Sequence, residues 1–77
     1  MKSIICGAGA VGQSIAEKLS NEGFEVTVID ESKEQLKKLS DNLDVKTVIG
    51  ASSHPTILSL AGAKDCDILI AVTKSDE

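Results

Sequence analysis

The chain contains no arginine, tryptophan or tyrosine, and its 77 residues include only one phenylalanine, one proline and one histidine. Acidic residues (12) outnumber lysines (8), which gives a formal net charge of −4. Nucleic-acid binding depends on clustered Lys and Arg side chains that neutralise phosphates, so no nucleic-acid partner is expected. No apolar run approaches the roughly 18 residues of a membrane-spanning helix, so the chain is not expected to span a membrane.

Side chains that perform catalysis or hold metals are also scarce. His54 is the only histidine, and Cys6 and Cys66 lie inside apolar runs without a CxxC spacing. We therefore expect no metal site, and both cysteines are predicted to be buried thiols in a reducing cytoplasm. No Ser/His/Asp set, Cys/His pair or carboxylate pair has a spacing suited to acid–base or nucleophilic chemistry. The sequence thus predicts no catalytic residue.

Short apolar runs alternate with amphipathic segments along the whole chain. Runs rich in β-branched residues predict strands at 3–6, 24–30, 45–49 and 67–72. Helical spacing predicts a helix after each of the first three strands, with Ser32 and Ser53 as the N-caps of the second and third. The first helix is expected to bury one stripe, formed by Val11, Gly12, Ile15, Ala16 and Leu19.

The resulting order, β-α-β-α-β-α-β with short connections, predicts an α/β fold. We expect a Rossmann-like parallel sheet in the order 3-2-1-4 with helices on both faces. The fourth strand is apolar on both faces and is expected to be sandwiched between layers. The switch point then falls above Gly7 and Val72. Residues 1–77 are expected to be one nucleotide-binding domain that is truncated at its C-terminal end, because they supply only half of a doubly wound sheet.

Residues 7–12 read Gly-Ala-Gly-Ala-Val-Gly and match the dinucleotide-binding pattern G-x-G-x-x-G. The motif follows a predicted strand and opens a predicted helix, and Asp30 ends the next strand near the usual spacing of about 20 residues. In such a loop Gly7 permits a tight turn, Gly9 lets a pyrophosphate approach the backbone, and Gly12 allows close helix packing. Backbone N–H groups and the helix dipole would hold the phosphates without a lysine.

The Asp30 carboxylate can accept hydrogen bonds from both ribose hydroxyls of an adenosine. It would repel a 2′-phosphate, and the chain has no arginine to offset that repulsion. We therefore expect NAD(H), or alternatively ATP or ADP, and not NADP. Weaker candidates are Glu31 beside the ribose, Ala51 and Ser52 beside the adenine, and Thr73 near the phosphates. Helix capping explains Glu31 equally well, and a simple turn explains Ala51 and Ser52 equally well.

Several segments together resemble the N-terminal half of an RCK (KTN) domain. The resemblance is carried by residues 2–12, 28–30, 50–55, 61–67 and 70–77 and runs from end to end of the chain. Its specificity comes from the closing string Ala-Val-Thr-Lys-Ser-Asp-Glu, which ordinary dehydrogenases do not share. One departure is Ala51, where the family commonly has Asp or Asn; a polar contact to the adenosine is expected to be lost there.

The resemblance implies a sensor and not an enzyme. Domains of this family bind NAD(H) or ATP/ADP, form homodimers or higher homo-oligomers, and pass ligand-dependent rearrangements to a membrane potassium-translocating subunit of the Trk type. It also implies a cytoplasmic location, at the inner face of the membrane through that partner. By position it implies a phosphate loop of Gly7, Ala8, Gly9, Ala10, Val11 and Gly12. It places Asp30 at the ribose, Ala51 and Ser52 at the adenine, and Thr73 and Lys74 across the cleft.

Two other interpretations remain open from the residues. The chain could be the cofactor-binding half of an NAD-dependent oxidoreductase whose catalytic part lies elsewhere. It could also be an α/β fragment that binds nothing. The closing string from Ala71 to Glu77 and the lack of an acid or base near the expected cleft favour the regulatory interpretation over the oxidoreductase.

Overall fold

A computed structural model describes residues 1–72, which form one parallel sheet flanked by helices. The strands are β1 (Lys2–Cys6), β2 (Glu25–Asp30), β3 (Lys46–Ile49) and β4 (Ile68–Ala71). The helices are α1 (Ala10–Asn21), α2 (Lys33–Asn42) and α3 (Pro55–Leu60), followed by a 3₁₀ turn at Ala63–Asp65. Strand order β3-β2-β1-β4 confirms the predicted Rossmann-like topology.

The central strand β1 fixes the register of the sheet. It pairs in parallel with β2 and β4, so that Cys6 lies opposite Ile29 on one side and Ala71 on the other. All its residues after Lys2 are buried. Because the three strands run in parallel, their carboxyl ends meet at one edge of the sheet, where ligands bind in folds of this type.

Each face of the sheet has its own apolar core. On one face Ile5 and Val28 pack with Ala16 of α1 and with Leu36 and Leu39 of α2. On the opposite face the buried residues Ile4, Cys6 and Ile29 pack against side chains of α3 and β3, including Val48, Ile57 and Leu58. The expectation that helices cover both faces is therefore confirmed. None of the helices in residues 1–72 is long and apolar enough to cross a bilayer.

The predicted apolar stripe of α1 is correct except at Val11. Gly12 and Ala16 are buried, and Ile15 and Leu19 pack against the core, but Val11 is 60% exposed. Successive helical residues differ by about 100° around the axis. Since Gly12 is the residue that faces the backbone below the helix, Val11 is turned toward solvent.

The prediction that β4 is sandwiched between layers is wrong for the described residues. Leu69 is 50% exposed and Ala71 is exposed, whereas Ile68 and Ile70 are half-buried. Leu69 lies beside Ile4, on the α3 face of the sheet. Because α3 packs over Ile29 and Val48, on the other side of β1, nothing in residues 1–72 buries Leu69.

Two smaller predictions also differ from the structure. The N-cap of α3 is His54 rather than Ser53, and its side chain makes no capping hydrogen bond. Pro55 takes the first helical position, which needs no N–H donor, and this moves the start of the helix by one residue. Cys6 is buried as expected, but Cys66 is only half-buried, and its thiol donates to the Ala63 carbonyl.

The difference between core and surface leucines gives a stability prediction. Leu36 is 2% exposed, and Leu36→Ala should lower the free energy of unfolding by about 2–5 kcal/mol through lost burial and a residual cavity. Leu60 is 70% exposed, so Leu60→Ala should change it by less than about 0.5 kcal/mol. Urea unfolding followed by circular dichroism measures both variants. Equal losses would contradict the assignment of the core.

Candidate functional site

The chain leaves β1 through Gly7 in a conformation that suits glycine. Its φ is 122°, and a Cβ at this position would collide with the carbonyl oxygen of Val72. The Gly7 N–H donates to the Ile29 carbonyl at 2.8 Å, which continues the ladder between β1 and β2 by one residue. The glycine loop is therefore held against both neighbouring strand ends.

The other two glycines of the motif have different surroundings. A Cβ on Gly12, in the first turn of α1, would collide with the carbonyl oxygen of Gly7. Gly9, by contrast, has no heavy atom within 4 Å of the position that a Cβ would take. Gly12 therefore lets the helix sit directly on the loop backbone, and Gly9 leaves open space beside the backbone at the helix start. The close packing expected at Gly12 is therefore confirmed, and the approach of a pyrophosphate to Gly9 stays a prediction.

The N-terminus of α1 has no side-chain cap and no acidic residue in its first turn. Its N-cap is Gly9, which supplies no side-chain acceptor. The first N–H groups of a helix lack partners within the helix, and the dipole makes this end positive. Such an end attracts anions, and here it lies beside the open space at Gly9.

Asp30, the last residue of β2, already uses both carboxylate oxygens within the protein. Oδ2 accepts a hydrogen bond from the Ala8 N–H at 2.7 Å, and Oδ1 accepts one from the Ser32 N–H at 2.7 Å. The sequence placed Asp30 correctly but did not reveal these bonds. A carboxylate has about four acceptor positions, so each oxygen can accept a further hydrogen bond from a ligand.

A groove of about 570 Å³ lies along the carboxyl ends of β1, β2 and β4. It brings together five of the predicted site residues, which are Gly7, Asp30, Glu31, Ala51 and Ser52. Its lining also includes Val72, which the sequence places at the switch point, and Ser32, together with four residues that the sequence did not single out as site residues, namely Cys6, Ile29, Gly50 and Ala71. Most of these are strand ends, so the topology alone would have pointed to them.

The remaining predicted residues do not line this groove. Ala8 and Gly12 are buried, and Val11 is exposed. Ala10 lines a separate groove between α1 and α2. Gly9 borders open space at the start of the helix. Of the predicted phosphate loop, the structure thus places Gly7 in the wall of the groove and the residues from Ala8 to Gly12 beside it. Thr73 and Lys74 lie outside the described residues.

Gly50 joins the groove to α3. Its φ is 153°, and the Ile57 side chain fills the place where a Cβ would stand. The Gly50 N–H donates to the Asp30 carbonyl at 3.0 Å. The turn that carries Ala51 and Ser52 is therefore fixed to both β2 and α3.

These features define a doubly wound α/β domain with a glycine loop and an acidic strand end at its switch point. The family model for the TrkA-N domain matches residues 3–77, and the chain belongs to this family. The resemblance noted in the sequence is thereby confirmed.

Curated relatives match the whole chain. "Trk system potassium uptake protein TrkA" of Halomonas elongata is 49% identical over all 77 residues, which are 17% of that protein. The protein of the same name from Vibrio alginolyticus is 47% identical over the same 77 residues, which are also 17% of that protein. "Trk system potassium uptake protein trkA homolog 1" of Methanosarcina mazei is 42% identical, and the chain covers 18% of it. The chain thus spans less than a fifth of the length of these relatives.

A solved structure supports the fold. It is described as the "Shewanella denitrificans Kef CTD in AMP bound form", and it superimposes with a TM-score of 0.83 at 28% identity. The match covers 97% of this chain and 44% of that one. That protein was solved with AMP bound.

The two glycines at the start of α1 give stability predictions of different size. Gly12→Ala should lower the free energy of unfolding by about 2 kcal/mol, because overpacking against a backbone carbonyl outweighs the gain in helix propensity of about 1 kcal/mol. Gly9→Ala meets open space at an ordinary φ of −73° and should cost less than about 1 kcal/mol. Thermal and urea unfolding compare the two. A stable Gly12→Ala variant would show that α1 does not sit on Gly7.

Proposed function

We propose that this chain is the nucleotide-binding part of a regulatory protein of a Trk-type potassium uptake system and is not an enzyme. The observation that carries the proposal is the groove that joins Gly7 of the glycine loop to the Asp30 carboxylate. An acceptor suited to a ribose lies in this groove, and a helix N-terminus suited to a phosphate lies beside it, which is the combination that would bind an adenosine phosphate.

The proposed ligand is NAD(H), or alternatively ATP or ADP, which share an adenosine 5′-phosphate portion. Asp30 would accept hydrogen bonds from the ribose hydroxyls through its remaining lone pairs, with Glu31 at the side. The phosphates would lie at the start of α1, held by the backbone from Gly7 to Gly12. The AMP held by the structurally similar Kef domain supports an adenine nucleotide as the ligand class.

The adenine would lie against the turn at Ala51 and Ser52, which lines the same groove as Asp30. Ala51 has no polar side chain, so it can contribute only apolar contact and its backbone. We propose that Thr73 and Lys74 close the groove on the phosphate side.

The names and lengths of the relatives support the proposed setting. Three of them are potassium uptake proteins that extend far beyond the region matched here. We therefore propose that residues 1–77 are the N-terminal nucleotide-binding domain of a longer cytoplasmic protein. That protein would form homodimers or larger homo-oligomers and regulate a membrane potassium-translocating subunit. Family membership favours this interpretation over the cofactor-binding half of an oxidoreductase.

Ligand binding tests the site directly. Titration calorimetry should show binding of AMP and NAD, with NADP at least about tenfold weaker, because its 2′-phosphate meets the Asp30 carboxylate and the chain has no arginine. Asp30→Ala should weaken AMP binding by about tenfold or more through the lost charged acceptor. Asp41→Ala, which removes an exposed carboxylate on α2, is the matched control and should bind as the wild type does. Equal affinity for NAD and NADP, or for wild type and Asp30→Ala, would contradict the site.

Potassium uptake tests the regulatory role. Cells whose own gene carries the Asp30→Ala substitution should take up potassium, or its tracer rubidium, more slowly than cells with the Asp41→Ala substitution. The physical reason is that the regulatory protein would lose its nucleotide-dependent state. Immunoblotting checks that both variants are equally abundant, and circular dichroism of the purified variants checks that both are folded. Identical uptake in both strains would argue that the groove has no part in transport.

A further inference from the structure

A closed ring of five hydrogen bonds connects the glycine loop to α1, α2 and the turn after β2. Asp30 accepts from the N–H groups of Ala8 and Ser32, both at 2.7 Å. Gln13 Nε2 donates to the Ala8 carbonyl at 2.9 Å and to Gln35 Oε1 at 3.2 Å. The Gln35 N–H donates to Ser32 Oγ at 3.3 Å and completes the ring. The ring therefore ties Asp30, the proposed ribose acceptor, to the loop that starts α1.

Ala8 is held from both sides by this ring. Its N–H is bound by Asp30 and its carbonyl by Gln13, while its methyl group is fully buried in the core. These two backbone groups belong to the two peptide units on either side of one Cα. Fixing both of them fixes the φ and ψ of Ala8 and, with them, the path of the loop.

The bond from Gln13 also sets the direction of the next N–H group. The Ala8 carbonyl and the Gly9 N–H share one planar trans peptide, so they point in opposite directions. As long as Gln13 donates to this carbonyl, the Gly9 N–H points away from Gln13. Gly9 is also the residue that borders open space at the start of α1. Gln13 itself does not line the groove at the strand ends.

We propose that Gln13 is a positioning residue for the ligand phosphate. It acts through the Ala8–Gly9 peptide, which it orients so that the Gly9 N–H is presented to the phosphate. Gln35 supports it by accepting from the second hydrogen of the Gln13 amide. This inference rests on the proposed function, because it assumes that a phosphate binds at the start of α1.

The test compares binding of AMP with binding of adenosine, which lacks the phosphate. Gln13→Met keeps the length and neutrality of the side chain but removes both donated hydrogen bonds. Titration calorimetry should show AMP binding about tenfold weaker in this variant and adenosine binding unchanged. Ser14→Met, at the next and exposed position of α1, is the matched control and should bind both ligands as the wild type does. Gln35→Met leaves the bond to Ala8 intact and should weaken AMP binding about threefold.

A second measurement needs no ligand. In NMR spectra of the ligand-free proteins, Gln13→Met should shift the carbonyl carbon of Ala8 and the amide nitrogen of Gly9, and Ser14→Met should leave both in place. These signals report the hydrogen bond to that one peptide and separate its loss from a general loss of stability.

The outcomes separate the two proposals. AMP binding by Gln13→Met that equals the wild type, or an equal loss for AMP and adenosine, would overturn the positioning role while leaving the nucleotide site intact. A wild-type protein that binds neither AMP nor NAD would overturn the proposed function and with it the role in phosphate binding. Unchanged Ala8 and Gly9 signals would overturn the hydrogen bond itself. If Gln13→Met does not fold, unchanged AMP binding by Gln35→Met overturns the contribution of the ring.

Discussion

The contact between the first turn of α1 and the carbonyl oxygen of Gly7 is the constraint on which the site depends. It exists only because Gly12 has no side chain, and it brings the helix start down onto the end of β1. A larger residue would lift the helix away from the strand ends. The positive end of the helix dipole would then move away from the groove that contains Asp30.

The sheet supplies the second half of this arrangement. Since β1 pairs with both β2 and β4, the ends of three parallel strands converge beside Cys6, and the groove forms where the chain direction of the crossovers reverses. The two apolar cores, one on each face, hold the strands at this register. The polar groups of the site lie at the rim, where they keep access to a ligand without interrupting either core.

Much of this fold follows from local patterns in the sequence. The alternation of apolar runs and amphipathic segments predicts the strand order, and the glycine spacing predicts the loop with Asp30 nearby. Hydrogen bonds between distant elements cannot be predicted in this way, because no periodicity in the sequence links Gln13 to Gln35 or Asp30 to Ala8. The exposure of Leu69 also follows from where α3 packs, and an apolar run looks the same whether or not a helix covers it.

Gly50 has a mechanical consequence for the far end of the groove. The Ile57 side chain occupies the space beside its Cα, and its N–H is bonded to the strand end that carries Asp30. A translation of α3 along the sheet would therefore displace the turn at Ala51 through the contact between Ile57 and Gly50. The position of the helix on one face of the sheet is therefore expected to be coupled to the width of the groove at the sheet's edge.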